Sequence, residues 1–268
     1  MNLFLIDGNS YYYRAYHAIK RLSTSKGLPT NAIYGFTNML LKIIREKRPD
    51  ALAIIFDSPA PTKRHKIYQD YKAQRPETPK DLIMQFPYIK KIIDSFHIST
   101  FEIPGYEADD IICAIAKRVA SENINVFIVT GDKDLMQVIN NNIKIYDPMK
   151  DIIIDENYVL DRYGVSPKRI PELIAITGDA VDNIPGVKGI GEKTAKEILN
   201  KTRSLDELLM HPEKIDNERI RKMIIDNIEN IKMSKILVTV DPHVPIDIDI
   251  NTLTLREPDW LKLSELFT

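Results

Sequence analysis

The sequence is almost without cysteine. Cys113 is the single one in 268 residues, which excludes a disulfide framework and leaves no cysteine-built zinc site. Long apolar runs are missing too. Residues 3–6 are apolar but stop at Asp7, too short for the hydrophobic region of a secretory signal. No stretch approaches the roughly 20 residues that span a bilayer. Nor is there an excess of either charge: 37 Lys+Arg stand against 38 Asp+Glu, a formal net charge of −1. That balance does not advertise a polyanionic partner. No internal repeat or low-complexity tract is present. What remains is a chain that is 44% hydrophobic and 28% charged, expected to be soluble and cytoplasmic, with no membrane partner. Its length suggests one large domain or two smaller ones.

Short apolar runs alternate with helical patterns through the first half. Residues 3–6, 51–56 and 125–130 read as buried strands, and 143–146 with 152–154 as a terminal hairpin. Apolar residues recur at helical spacing over 31–48, over 81–96 and after Glu107. Strands alternating with helices predict the α/β class with a mostly parallel sheet. Beyond about residue 165 the pattern is helical only: 169–177, 194–200, 204–211 and a longer segment over 218–234. Ser166-Pro167 supplies a capping residue and a first-turn proline to the first of these. A boundary near 165 is therefore expected, between an α/β unit (1–165) and a helical unit (166–268).

The acids carry the strongest signal. Asp7 and Asp57 each end a predicted strand. Asp132 and Asp134 follow the third one, and Glu107, Asp109 and Asp110 open a helix. Functional crevices of open α/β sheets lie outside the carboxyl ends of the strands, so about seven carboxylates would meet at one edge. Each alone also fits a turn-former or a helix-start acid. Together they would repel one another unless cations neutralise them. Oxygen ligands without Cys or His clusters suit Mg²⁺ or Mn²⁺, and a pair of such ions is a common device for phosphodiester hydrolysis.

A further acidic pair, Asp179 and Asp182, shares a helical face or a tight turn by its spacing. It precedes Gly186-Val187-Lys188-Gly189-Ile190-Gly191-Glu192-Lys193-Thr194-Ala195. This is not a P-loop: the lysine does not directly follow the glycine, and no strand comes before it. It reads as a helix–hairpin–helix turn, with glycines in a tight backbone, amides facing a phosphate, and Lys188, Lys193 and Lys196 adding charge. An ordinary glycine-rich helix connection is the alternative. Residues 58–80 hold six basic residues (Lys63, Arg64, Lys66, Lys72, Arg75, Lys80) among four prolines. That segment is either a solvated loop or a functional one. If 71–75 is helical, Lys72 and Arg75 share a face that could grip a phosphate. The run Tyr11-Tyr12-Tyr13-Arg14 reads as core aromatics or as a stacking platform for a base.

Taken jointly, several segments resemble the bacterial 5′-to-3′ exonuclease and flap endonuclease family, which includes the N-terminal nuclease domain of DNA polymerase I. They are Leu5-Ile6-Asp7-Gly8-Asn9-Ser10, Tyr13-Arg14-Ala15-Tyr16-His17, Phe56-Asp57, Tyr71-Lys72-Ala73-Gln74-Arg75-Pro76, Gly105-Tyr106-Glu107-Ala108-Asp109-Asp110, Gly131-Asp132-Lys133-Asp134-Leu135 and residues 178–195. The resemblance implies a PIN-like nuclease domain with a helical arch at about 58–80, then a helix–three-turn–helix DNA-binding domain. It implies a two-ion Mg²⁺ cluster, for which Mn²⁺ can substitute, formed by Asp7, Asp57, Glu107, Asp109, Asp110, Asp132, Asp134, Asp179 and Asp182. It makes Lys72 and Arg75 the basic pair over the cut. It gives DNA contacts to Tyr13, Arg14, Gly186, Lys188, Gly189, Gly191, Lys193, Thr194 and Lys196, with K⁺ at the carbonyls of 186–191.

The expectation is a structure-selective 5′ nuclease acting on DNA with 5′ ends, flaps or branches, and on RNA–DNA primer hybrids, during replication and repair. It is expected to be a bacterial, nucleoid-associated monomer and free-standing rather than cut from a polymerase. A PIN-type ribonuclease and a non-catalytic holder of branched DNA are the alternatives. Once nine carboxylates are set aside for cations, the remaining chain is basic, so the neutral total conceals a separation of charge.

Overall fold

The computed structural model describes residues 1–20 and 22–267; Arg21 and Thr268, which fall within the two expected domains, lie outside the described residues. Six strands form one sheet: β1 (Asn2–Asp7), β2 (Ala51–Ile55), β3 (Ser99–Phe101), β4 (Asn125–Val129), β5 (Ile143–Asp147) and β6 (Ile152–Ile154). Their spatial order is β3-β2-β1-β4-β5-β6. All neighbours are parallel except β5 and β6, which form an antiparallel hairpin. The expected α/β class and mostly parallel sheet are present. β3 has no counterpart in the sequence reading. It is three residues long, two of them polar, and paired only with β2, so no apolar run marks it.

In β1, Leu3 and Leu5 face one side while Phe4 and Ile6 face the other, and all four are buried. Both faces must therefore be covered. On the Phe4 side lie α1 (Gly8–Ala18), α2 (Asn31–Lys42) and, after α3 (Lys63–Ile67), α4 (Lys80–Ser95). On the Leu3 side lies α5 (Ala108–Val119). The expected 31–48 helix ends early: a π turn covers Ile43–Lys47, and Arg48 turns left-handed at φ 46°.

After α6 (Glu156–Tyr163) a 3₁₀ turn spans Pro167–Arg169, so Ser166 opens a tight turn and its side chain makes no cap bond. The helices α7 (Ile170–Thr177), α8 (Glu192–Leu199), α9 (Leu205–Met210), α10 (Glu218–Asp226), α11 (Ile228–Val238) and α12 (Trp260–Phe267) follow. The expected 218–234 helix is two helices broken at Asn227, whose φ of −119° leaves the helical region. One apolar core continues from the Leu3 face into these helices: Ile111, Ile128, Leu135, Ile174, Ile198, Ile231 and Leu237 belong to a single buried cluster. The two halves are packed together around residue 165. No described helix is long and apolar enough to cross a membrane.

Residues 58–80 do not form a helical arch. Only Lys63–Ile67 is helical; 69–75 is a series of turns, and Lys72 sits at φ 57°. Pro59, Pro61, Pro76 and Pro79 bracket the segment, removing donors and biasing the preceding residues away from helix. The result is a strap laid over the carboxyl ends of the strands.

Candidate active site

The strand order reverses between the parallel neighbours β1 and β4, the switch point of the sheet, and an open α/β sheet forms its crevice there. Asp7 ends β1. Its carboxylate accepts the Ser10 N–H (3.0 Å) at the start of α1 and the Thr130 hydroxyl (3.1 Å) beyond β4. Asp57 follows β2 and accepts the Ala108 N–H at 2.7 Å, which fixes the start of α5 against the sheet. Asp109 lies in the first turn of that helix. Asp132 follows β4 and accepts the Asp134 N–H at 2.9 Å. One oxygen of Asp134 is buried and meets no partner.

The Arg14 guanidinium crosses the Gly131 backbone: a Cβ there would fall 1.9 Å from it, so any larger residue would make Arg14 swing aside. Arg14 in turn approaches Asp147 at 3.8 Å. Tyr13 bonds Thr78 of the strap through its hydroxyl and rests edge-on against Tyr12.

Asp179 and Asp182 arrive from the turn after α7. Asp179 accepts the Val181 and Asp182 N–H groups, and a two-way backbone bridge joins it to Ile184. The spacing thus makes a tight turn. At its end Gly186 packs against Gly178, where a Cβ would lie 2.2 Å from the Gly178 nitrogen. The strap is tied to the same turn. The Lys72 N–H donates to the Asp182 carbonyl at 3.0 Å, Arg75 pairs with the Asp182 carboxylate at 2.5 Å, and Asn183 bonds both Asp70 and Gln74. Lys72 and Arg75 therefore do meet, through a turn rather than a helical face. Lys133 pairs with Asp179 at 2.6 Å. Sequence reading passed over this lysine because it lies between two acids and belongs to no basic run.

Glu107 and Asp110 have different surroundings. Glu107 is buried and accepts Lys72 (2.9 Å) and the Tyr71 hydroxyl (3.1 Å), with the Thr62 hydroxyl oxygen 3.3 Å away. Asp110 is buried and held bidentately by Arg64 at 2.7 and 2.8 Å, with further bonds from the Glu107 and Asp241 N–H groups. Asp110 thus faces Arg64, and the same guanidinium lies 3.4 Å from the Glu107 carboxylate. The Asp110 carboxylate is saturated by a cation from the chain itself. Arg64 was read only as one charge in a basic stretch, and nothing in that stretch signals that its side chain is buried.

Charge is strained where no chain cation reaches. Burial, reinforced by Asp57 and Asp132, lifts the Asp7 carboxyl to about 7, despite two hydrogen bonds that lower it. Burial together with Asp132 and Asp7 raises Asp109 well above the ordinary carboxylate range, and burial with Asp132 and Asp182 does the same for Asp134. Asp132 is raised, again chiefly by burial. Where cations sit close, the direction reverses: burial is outweighed by Lys72 and Arg64 at Glu107 and by Lys133 at Asp179, and both are lowered. Among the described residues no three acidic, His or Cys side chains close on one point. An all-oxygen donor set, mutually repelling and with one buried oxygen unpartnered, nevertheless fits a hard divalent cation.

A stability consequence follows. A carboxyl whose pKa is raised by folding binds more protons in the folded chain, so stability falls as pH rises from the unfolded pKa near 3.8 through the folded one. Asp109→Asn removes one repelling charge at nearly constant shape. In EDTA at pH 7.5 it is expected to raise Tm by roughly 2–4 °C for each kcal/mol of repulsion relieved. At pH 4, where Asp109 keeps its proton, Tm should not change. Thermal scans at the two pH values check this; a lower Tm at pH 7.5 would contradict the repulsion.

In the helical half Lys188 and Lys193 are exposed, Gly189 turns at φ 90°, and Gly191 precedes α8, with Thr194 in its first turn. Lys196 is half-buried and pairs with Glu192 and the Arg162 carbonyl, both at 2.8 Å.

A doubly wound sheet with an acid-lined switch point under a basic strap defines a class of hydrolase that handles phosphate esters. The comparisons are specific. Residues 2–164 match the family model described as 5′-3′ exonuclease, N-terminal resolvase-like domain, and 165–260 match 5′-3′ exonuclease, C-terminal SAM fold. The chain is 42% identical over 265 residues to the 5′-3′ exonuclease of Aquifex aeolicus, covering 98% of this chain and 90% of that one. It is 39% identical to DNA polymerase I of Thermus aquaticus over 97% of this chain, but spans only 30% of that polymerase. The fold is similar to the T5 D15 protein co-crystallised with metal ions (TM-score 0.71, 22% identity, 89% of each chain) and to the catalytic core of Rad2 in complex with DNA substrate (TM-score 0.68, 17% identity, 99% of this chain and 86% of that one). The chain belongs to the 5′-3′ exonuclease family and is a nuclease: a resolvase-like, PIN-type α/β domain followed by a helical SAM-like region.

Proposed function

We propose that this nuclease hydrolyses phosphodiester bonds at DNA 5′ ends, flaps and branches in a divalent-metal-dependent reaction. The observation that carries this is the set of raised, mutually repelling carboxylates at the switch point, framed by Lys72, Arg75 and Lys133. We assign residues 1–165 to cutting and 166–268 to gripping the duplex.

Asp7, Asp57, Asp109, Asp132 and Asp134, with Asp179 and Asp182 at the rim, would hold two Mg²⁺ ions, or Mn²⁺ in their place. Glu107 stands at the edge, shared with Lys72. When bound, such ions activate water and stabilise charge on phosphate oxygens. The chain's own residues do the rest. Lys72 and Arg75 exchange carboxylate for the phosphate being cut and offset charge that develops on it. Tyr13 stacks on a base beside the cut and Arg14 takes an adjacent phosphate. Lys188, Lys193, Thr194 and the backbone of Gly186, Gly189 and Gly191 hold the duplex without reading bases. The carbonyls of 186–191 are the stretch that would take K⁺. Lys196 supports this hairpin from within. Processing of RNA–DNA primers in replication and repair, by a monomer on the chromosome in the bacterial cytoplasm, is the role this chemistry suits.

The test is cleavage of labelled 5′-flap, single-stranded and RNA–DNA substrates with and without Mg²⁺. Flap cleavage with Mg²⁺ and none in EDTA is expected. Equal cleavage in EDTA would contradict the metal assignment, and cleavage of RNA alone would favour a ribonuclease.

A further inference from the structure

Beside the carboxylates lies a cavity of about 290 Å³, lined by residues 58–62, His65, Lys72, Arg75, Asp57 and Glu107. We propose that it receives a phosphate of the cleaved strand, and that His65 presents its Nε2–H there as a fixed hydrogen-bond donor; this rests on the nuclease reading above.

The tautomer follows from local structure. Thr62 caps α3, and His65 occupies the reciprocal position of the capping box, where Glu or Gln is usual. The His65 Nδ1 accepts the Thr62 N–H at 3.3 Å and lies 2.9 Å from the Thr62 hydroxyl. A ring nitrogen that accepts a backbone N–H carries no proton, so the neutral imidazole bears it on Nε2. Among the described residues that nitrogen has no hydrogen-bond partner. The ring is also held in orientation. It packs edge-on against Tyr71 at 5.5 Å, and Tyr71 is itself fixed by its bond to Glu107.

Charge alone does not select an anion here, because two carboxylates and two cations line the same cavity. A fixed N–H donor does. A glutamate would complete the same capping box but would turn an anion away.

Two substitutions separate the roles. His65→Asn keeps an acceptor near the Nδ1 position and leaves nothing at Nε2; His65→Gln restores an N–H donor near Nε2. Steady-state kinetics with Mg²⁺ are measured on one duplex carrying either a 5′-phosphate or a 5′-hydroxyl. The Asn variant is expected to raise KM about 10-fold, the step expected from one hydrogen bond to a charged group, and the Gln variant to stay within about 3-fold of wild type. An effect confined to the 5′-phosphate substrate supports a terminal monoester as the ligand. An equal effect on both supports an internal phosphodiester. Wild-type KM in the Asn variant overturns the proposal. So does equal loss in both variants with a shared fall in Tm, which would mean capping alone. If the wild type cleaves neither substrate the nuclease reading fails, whereas wild-type cleavage with unaltered variants refutes only the role of His65.

Discussion

Asp132→Asn is expected to slow single-turnover cleavage of a 5′-flap substrate by about 10³-fold or more, while DNA affinity stays within a few-fold. Asparagine keeps the oxygen that accepts the Asp134 N–H, so the turn after β4 holds its shape. What is lost is one full negative charge at the switch point. Losing an ion-holding carboxylate forfeits several kcal/mol of transition-state stabilisation, and about 4 kcal/mol corresponds to the stated factor. Affinity would be spared if, as proposed, the duplex is held by the exposed Lys188 and Lys193. Cleavage at the wild-type rate would remove Asp132 from the ion-holding set. A parallel loss of binding would show that the carboxylate acts through the fold.

Arg64→Met should lower stability by about 3–5 kcal/mol, seen as a fall in Tm on the order of 10 °C. Arg64 gives two bonds to Asp110 and one each to the Leu237 and Thr239 carbonyls at 2.7 and 2.9 Å. Burial opposes its charge, but Asp110 and then Glu107 hold the guanidinium firmly protonated. The substitution leaves the buried Asp110 carboxylate with two backbone N–H groups but no cation, and two carbonyls without this donor; an uncompensated buried charge is the costly outcome. Pairing the change with Asp110→Leu should recover part of the loss, because both ionic partners are then gone. Denaturant unfolding of the single and double variants measures this. A single-variant loss under about 1 kcal/mol would mean that water readily replaces the guanidinium.

The acidic edge was legible because short apolar runs stop at a carboxylate: residues 3–6 at Asp7, and 51–56 at Asp57. Burial on both faces demands continuous hydrophobicity, and leaving the sheet demands its end. The three-residue β3 carries no such run. Helix α1 escaped notice because its aromatics, Tyr11, Tyr12, Tyr13 and Tyr16, point to both core and cleft and leave no clean stripe. The split between α10 and α11 at Asn227 was hidden by apolar periodicity that continues across it. Residues 58–80 showed their charge but not its direction. Whether a lysine or arginine faces solvent or a buried acid depends on partners more than 30 residues away, as Arg64 with Asp110 and Lys72 with Glu107 illustrate. Asp110, which the resemblance places in the two-ion cluster, is paired in the same way with Arg64.

The apolar core that continues from the sheet into the C-terminal helices makes the molecule a ruler. Leu135, just past the switch point, and Ile198, on the helix that follows the hairpin, belong to one buried cluster. On the proposed assignment, the span from grip to cut would be set by solid packing rather than by a tether. A duplex seated on the hairpin would meet the carboxylates at a constant offset, and the cut position, counted in nucleotides from the branch, becomes a property of the core.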